Sequence, residues 1–131
     1  MKASNFQFSD PSLEYIEFEE NKNFVCDNDS ENISIETNMQ SKVEMVSKNE
    51  AVVKVSIKIG MNDRMSPFKL HAVISAAFKW DDTIEEKLRD IFLKQNAPAL
   101  LTSYLRPIIS MVTNASKYPA YNLPFINFVN E

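Results

Sequence analysis

The stretch from Asn96 to Phe128, NAPALLTSYLRPIISMVTNASKYPAYNLPFINF, decides how this chain folds. Asn96 or Ala97 is suited to cap a helix with Pro98 in its first turn, where a missing backbone N–H costs nothing. Leu101, Leu105, Ile108, Val112 and Ala115 recur at helical spacing, and Leu100, Tyr104, Ile109 and Met111 widen the apolar arc on both sides. So broad an arc needs more than one sheet to cover it. Leu100, Leu101, Tyr104, Leu105, Ile108, Met111 and Val112 are therefore expected to meet a second copy of the chain, in a dimer or a dimer of dimers. Pro107 sits mid-helix and predicts a kink near Ser103. Asn114 is the expected left-handed helix end. The tail beyond it holds Pro119 and Pro124, so it is expected to run extended, with its aromatic residues covered.

Upstream, four segments alternate with period two. The first, Asn5 to Glu20, carries Phe6, Phe8, Leu13, Tyr15, Ile16 and Phe18; its phase slips near Pro11, which predicts one long strand bent or bulged there. After a polar loop from Asn21 to Asn32 come Ile33 to Met45, then Val53 to Ile59, closed by Gly60, and then Phe68 to Trp80. Asp82 or Thr83 with Glu85 or Glu86 forms the pattern of a capping box before a short amphipathic helix bearing Ile84, Leu88, Ile91 and Phe92. Strands followed by helices give an α+β fold: a four-stranded antiparallel sheet covered on one face by a short helix and a long kinked helix, with an extended C-terminal segment. One domain over residues 1–131 is expected, with sheet in 1–80, helices in 82–116 and tail in 117–131.

The net charge of −4 is unevenly spread: residues 1–50 hold 11 acidic and 4 basic groups, hence −7, which leaves +3 for the rest. Nucleic acid is an unfavoured partner, because phosphate binding needs a clustered basic surface. The single Cys26 permits no internal disulfide, and no apolar run is long enough to span a bilayer. A cytoplasmic protein without membrane insertion is expected. His71, the one histidine, falls on a wet strand face with no evident catalytic partner, and Cys26 has no neighbouring cation to activate it. Asp27, Asp29 and Glu31 begin like a calcium loop, yet Asn32 and Asn38 replace the glycine and glutamate such a loop needs. No enzyme activity, metal or cofactor is expected.

Asn96-Ala97-Pro98-Ala99, Leu101, Tyr104, Arg106, Ile109, Ser110, Met111-Val112, Tyr118-Pro119, Asn122-Leu123 and Ile126-Asn127-Phe128 together resemble the carboxyl-terminal signature of the SecB family of protein-export chaperones. The resemblance is to a short form, because the chain stops at Glu131 where export relatives continue into a further helix. It implies an ATP-independent holdase for unfolded or precursor polypeptides. The client groove would lie beside the sheet, at positions including Phe18, Phe24, Met39, Tyr118, Tyr121 and Phe125. Nine Phe, four Tyr and six Met suit such a groove, since rings and pliable thioethers accept varied apolar segments. Export relatives also contact the SecA motor, for which Glu14, Glu17, Glu19, Glu20, Glu36 and Glu44 are the available acidic sheet positions. Other family members serve one antitoxin of a toxin–antitoxin system. A module for a small apolar ligand or a single partner is the alternative of a different class.

Overall fold

A computed structural model of the protein describes residues 6–24, 35–62 and 64–128. The expected sites at Cys26, Asp27, Asp29 and Glu31 lie outside the described residues, as does Ile33. The chain runs β1 (Phe6–Phe8), β2 (Ser12–Glu20), β3 (Thr37–Ser47), β4 (Glu50–Ile59), β5 (Phe68–Trp80), α1 (Glu86–Ile91), a π-helical turn (Phe92–Asn96) and α2 (Ala97–Asn114). All strand pairs are antiparallel; β4 lies between β3 and β5, and β1 and β2 both pair with the far side of β5. The class is α+β as expected, but the sheet has five strands rather than four, because the first segment divides around Asp10-Pro11.

The division follows from two one-residue slips against β5. Phe6 and Phe8 register with Trp80 and Phe78, Leu13 with Ile74, and Ile16 with Ala72. One extra residue is taken up between the strands and a second at Glu14, in a bulge between Leu13 and Tyr15. Each slip exchanges the faces, so Phe6, Phe8, Leu13, Ile16 and Phe18 all point inward although no single period joins them.

The core sits between one sheet face and α2. Val53, Val55, Ile57 and Ile59 of β4 and Leu70, Ala72, Ile74 and Phe78 of β5 are buried against Leu101, Leu105 and Ile109. Gly60 closes β4 with φ 68°, where a Cβ would strike Ser66 Oγ and the Phe68 carbonyl oxygen. Among the described residues, no other type adopts positive φ.

Three helix expectations are corrected. Glu85 precedes α1 without a side-chain cap; Asp81 instead accepts from the Thr83 backbone N–H at 3.0 Å, forming a local turn. Asn96 is helical (φ −74°, ψ −42°) and caps nothing, since the helix enters from α1 through the π turn, where the Ala97 N–H reaches the Phe92 carbonyl. That widening comes just before Pro98, whose ring would crowd a carbonyl of a regular preceding turn. At the far end Ala115 stays right-handed, and its N–H is shared between the Met111 and Val112 carbonyls. Among the described residues, no helix is long and apolar enough to cross a membrane.

Past a bend at Ser116 to Tyr118 the chain joins no helix or strand and runs back along α2. Tyr121 N–H donates to Thr113 Oγ1 (2.7 Å), and Arg106 donates to the carbonyls of Leu123 (2.6 Å) and Pro124 (3.1 Å). Leu123 and Phe128 are buried, and the residues near Phe128 face Asn96 and Ala99. The lengths agree: fourteen helical residues from Ala99 to Thr113 span about 21 Å, and seven extended tail residues about 23 Å.

Candidate functional site

Half-buried aromatic rings gather where β2 ends, β5 begins and the tail passes. Phe18 meets Phe68 edge-on at 5.5 Å, and Phe68 meets Tyr121 edge-on at 5.9 Å. Phe24, just past β2, meets Tyr118 in the same manner at 5.8 Å. Edge-to-face contacts set a positive ring edge against a negative face and fix each ring's tilt. Tyr121 is held further by its hydroxyl, 2.8 Å from Thr37 Oγ1 on β3, and Met39 lies two positions along on the same inward face. Of the six expected groove residues, Phe18, Phe24, Met39, Tyr118 and Tyr121 thus line one side of the molecule.

Phe125 stands apart. It is 89% exposed, beside a crevice of about 510 Å³ lined by Gln95, Asn96, Leu100 and Phe128 at the start of α2. Arg106 fixes the two carbonyls just before it, which turns this ring outward. Phe68, Thr37 and Thr113 belong to the aromatic site although sequence reasoning did not select them. The signal for Thr113 is a hydroxyl on the inward side of α2, a placement that Thr102 shares.

The expected oligomer positions divide. Leu101 and Leu105 have no exposed surface and pack in the protomer's own core, so they are not available to a second copy. Tyr104 is 42% exposed and Met111 67%, while Leu100, Ile108 and Val112 are half-buried. The tail covers α2 on the β3 side. On the other side Tyr104 and Met111 remain open, with the Phe8 ring 6.5 Å from that of Tyr104 and with Leu13 and Ile16 exposed on the same sheet face.

The six glutamates do not form one acidic surface. Glu14, Glu17 and Glu19 mark the β2 edge of the outer face and Glu36 and Glu44 the β3 edge; Lys69, Lys54 and Lys58 stand between them, and Glu20 registers with inward-facing Phe68. The Ser75 hydroxyl, and then Lys54 at 3.1 Å, hold the Glu14 carboxyl below its ordinary pKa. Tyr15 donates to Glu17, and that bond raises the phenol's pKa. His71 has neighbours that the sequence did not reveal: Nε2 lies 3.2 Å from Ser56 Oγ, and the Tyr15 ring is 5.1 Å away.

No curated protein sequence matches this chain. Its fold is similar to that of a Mycobacterium tuberculosis SecB-like chaperone in complex with a ChAD peptide from the HigA1 antitoxin, with a TM-score of 0.70 at 12% identity over 93% of this chain and 88% of that one. It is also similar to a Streptococcus agalactiae protein of unknown function, with a TM-score of 0.57 at 13% identity over 95% of this chain and 100% of that one. The family model of SecB, the preprotein translocase subunit, matches residues 5–130. The signature along α2 and the tail, the antiparallel sheet beneath them and this match over nearly the whole length make the chain a member of the SecB family.

Proposed function

We propose that the protein is an ATP-independent holdase for extended, non-native polypeptides, working in the cytoplasm as a homo-oligomer. The observation that carries this reading is the line of half-buried rings Phe18, Phe24, Tyr118 and Tyr121, which offers apolar area without a demanding hydrogen-bond pattern. Binding a non-native chain keeps it from aggregating by mass action, with no chemical step. Several such sites on one oligomer strengthen the hold through effective concentration. The open flank at Phe8, Leu13, Ile16, Tyr104 and Met111 is the surface we assign to the second copy.

Light scattering of a refolding apolar client, measured beside the protein's own mass in solution, tests both parts. Suppressed aggregation at near-stoichiometric amounts with a dimer or tetramer mass supports the reading. A monomer that leaves the client unprotected overturns it. Phe18→Ala, on the sheet side of the site, is expected to weaken client binding, whereas Phe125→Ala, at an exposed site, is expected to change stability by less than about 0.5 kcal/mol.

Service to one antitoxin is the second reading, favoured by the likeness to a SecB-like chaperone in complex with an antitoxin peptide. It predicts one tight polypeptide partner and weak protection of general clients. Export through SecA would have to use the β2 edge of the outer face, where Glu17 and Glu19 are exposed, since lysines interrupt the rest.

A further inference from the structure

Among the described residues, three polar contacts between α2 and the tail go to tail main chain: the Tyr121 N–H and the Leu123 and Pro124 carbonyls. Arg106 and Thr113 lie two helical turns apart on one side of α2, a spacing of about 10 Å that an extended chain covers in three residues. Thr113 spends its own proton on the Ile109 carbonyl (2.8 Å), which leaves its oxygen as an acceptor for a backbone N–H. Arg106 has no carboxylate partner among the described residues, and its planar fork spans two successive carbonyls. Such contacts recognise an extended backbone whatever its sequence.

Side-chain sockets flank them. Tyr121 and Leu123 turn inward, the one between Phe68 and Thr37 and the other to 5% exposure, while Asn122 and Pro124 turn outward. Tyr118–Pro124 joins no strand, so lifting it breaks few backbone bonds.

We infer that Arg106 and Thr113 form a main-chain clamp that the protein's own tail fills at rest, and that an extended client segment, an aromatic residue followed two positions on by an aliphatic one, takes the tail's place. This rests on the holdase reading and names the part of the site that grips the client. The tail is a built-in competitor, and the fraction of molecules with the tail lifted scales the apparent affinity.

Amide exchange of the whole protein, with and without reduced carboxymethylated lactalbumin as a permanently unfolded client, tests the clamp. Exchange over 118–124 is expected to speed up at least tenfold when the client binds, with β4 and β5 unchanged. A bound client with the tail as protected as before overturns the clamp and leaves the holdase reading standing. Leu123→Ala loosens the tail without touching the clamp, and is expected to bind the client roughly tenfold tighter. Adding Arg106→Gln to it should remove that gain. A Leu123→Ala protein of native circular dichroism that binds the client no tighter also overturns the inference. If neither protein binds the client, the holdase reading falls; a synthetic peptide of residues 117–128 then tests the clamp by itself, and failure to bind Leu123→Ala protein refutes it.

Discussion

Glu14 is the residue whose surroundings set a pH dependence. Its folded pKa lies below the ordinary value of 4.5, so the stability it contributes is present above 4.5 and is lost as the pH falls through the folded value. Unfolding midpoints of the native protein and Glu14→Gln should differ at pH 7 and converge as the pH is taken down from 4.5. The gap will be small, because the Glu14 side chain is 36% exposed and water screens its partners. Gly60 sets a constraint of another kind. Gly60→Ala places a Cβ at φ 68° against Ser66 and Phe68, and should cost about 1–3 kcal/mol in urea unfolding.

At the scale of elements, the bulge makes a sharper test. Glu14 is the extra residue between Leu13 and Tyr15, so deleting it leaves Leu13, Ile16 and Phe18 facing the core, at a loss of about 1 kcal/mol for the Lys54 and Ser75 contacts. Deleting Glu17 instead throws Ile16 and Phe18 to opposite faces, and should abolish cooperative urea unfolding. The same geometry explains what the sequence disclosed. β3, β4 and β5 were legible because each keeps one wet and one dry face in unbroken alternation. In the first segment the slip near Pro11 was legible as a break in the period, but the second, at Glu14, was not, because it is set by the partner β5, far away in the chain. On α2 the stripe was legible through Leu101 and Leu105, and then followed Ile108 and Val112 where the buried side is Ile109 and Thr113. A threonine breaks an apolar pattern even where its hydroxyl is fully satisfied. The π turn left no local signal. Of the candidate groove the aromatic content was legible, but content does not tell which way a ring faces, and Phe125 faces out.

For the whole molecule, the uneven cover of the sheet is decisive. α2 lies over β4 and β5 and the tail over the β3 side, while the β1 and β2 side keeps Phe8, Leu13 and Ile16 open beside Tyr104 and Met111. Where the proposed second copy docks on this flank, Tyr104→Glu with Met111→Glu should leave a folded monomer in light scattering. Leu105→Ala lies in the protomer core and should cost about 2–5 kcal/mol of stability. The pairing of β1 and β2 with β5 also bears on how the protein is born. Residues 6–20 leave the ribosome well before their hydrogen-bonding partners, residues 68–80. At about 5–20 residues per second of synthesis, the amino-terminal strands wait roughly 3–12 s for their template. Glu14, Glu17, Glu19 and Glu20 lie within that waiting segment, and their mutual repulsion keeps the nascent phenylalanines from finding a neighbour's before β5 arrives.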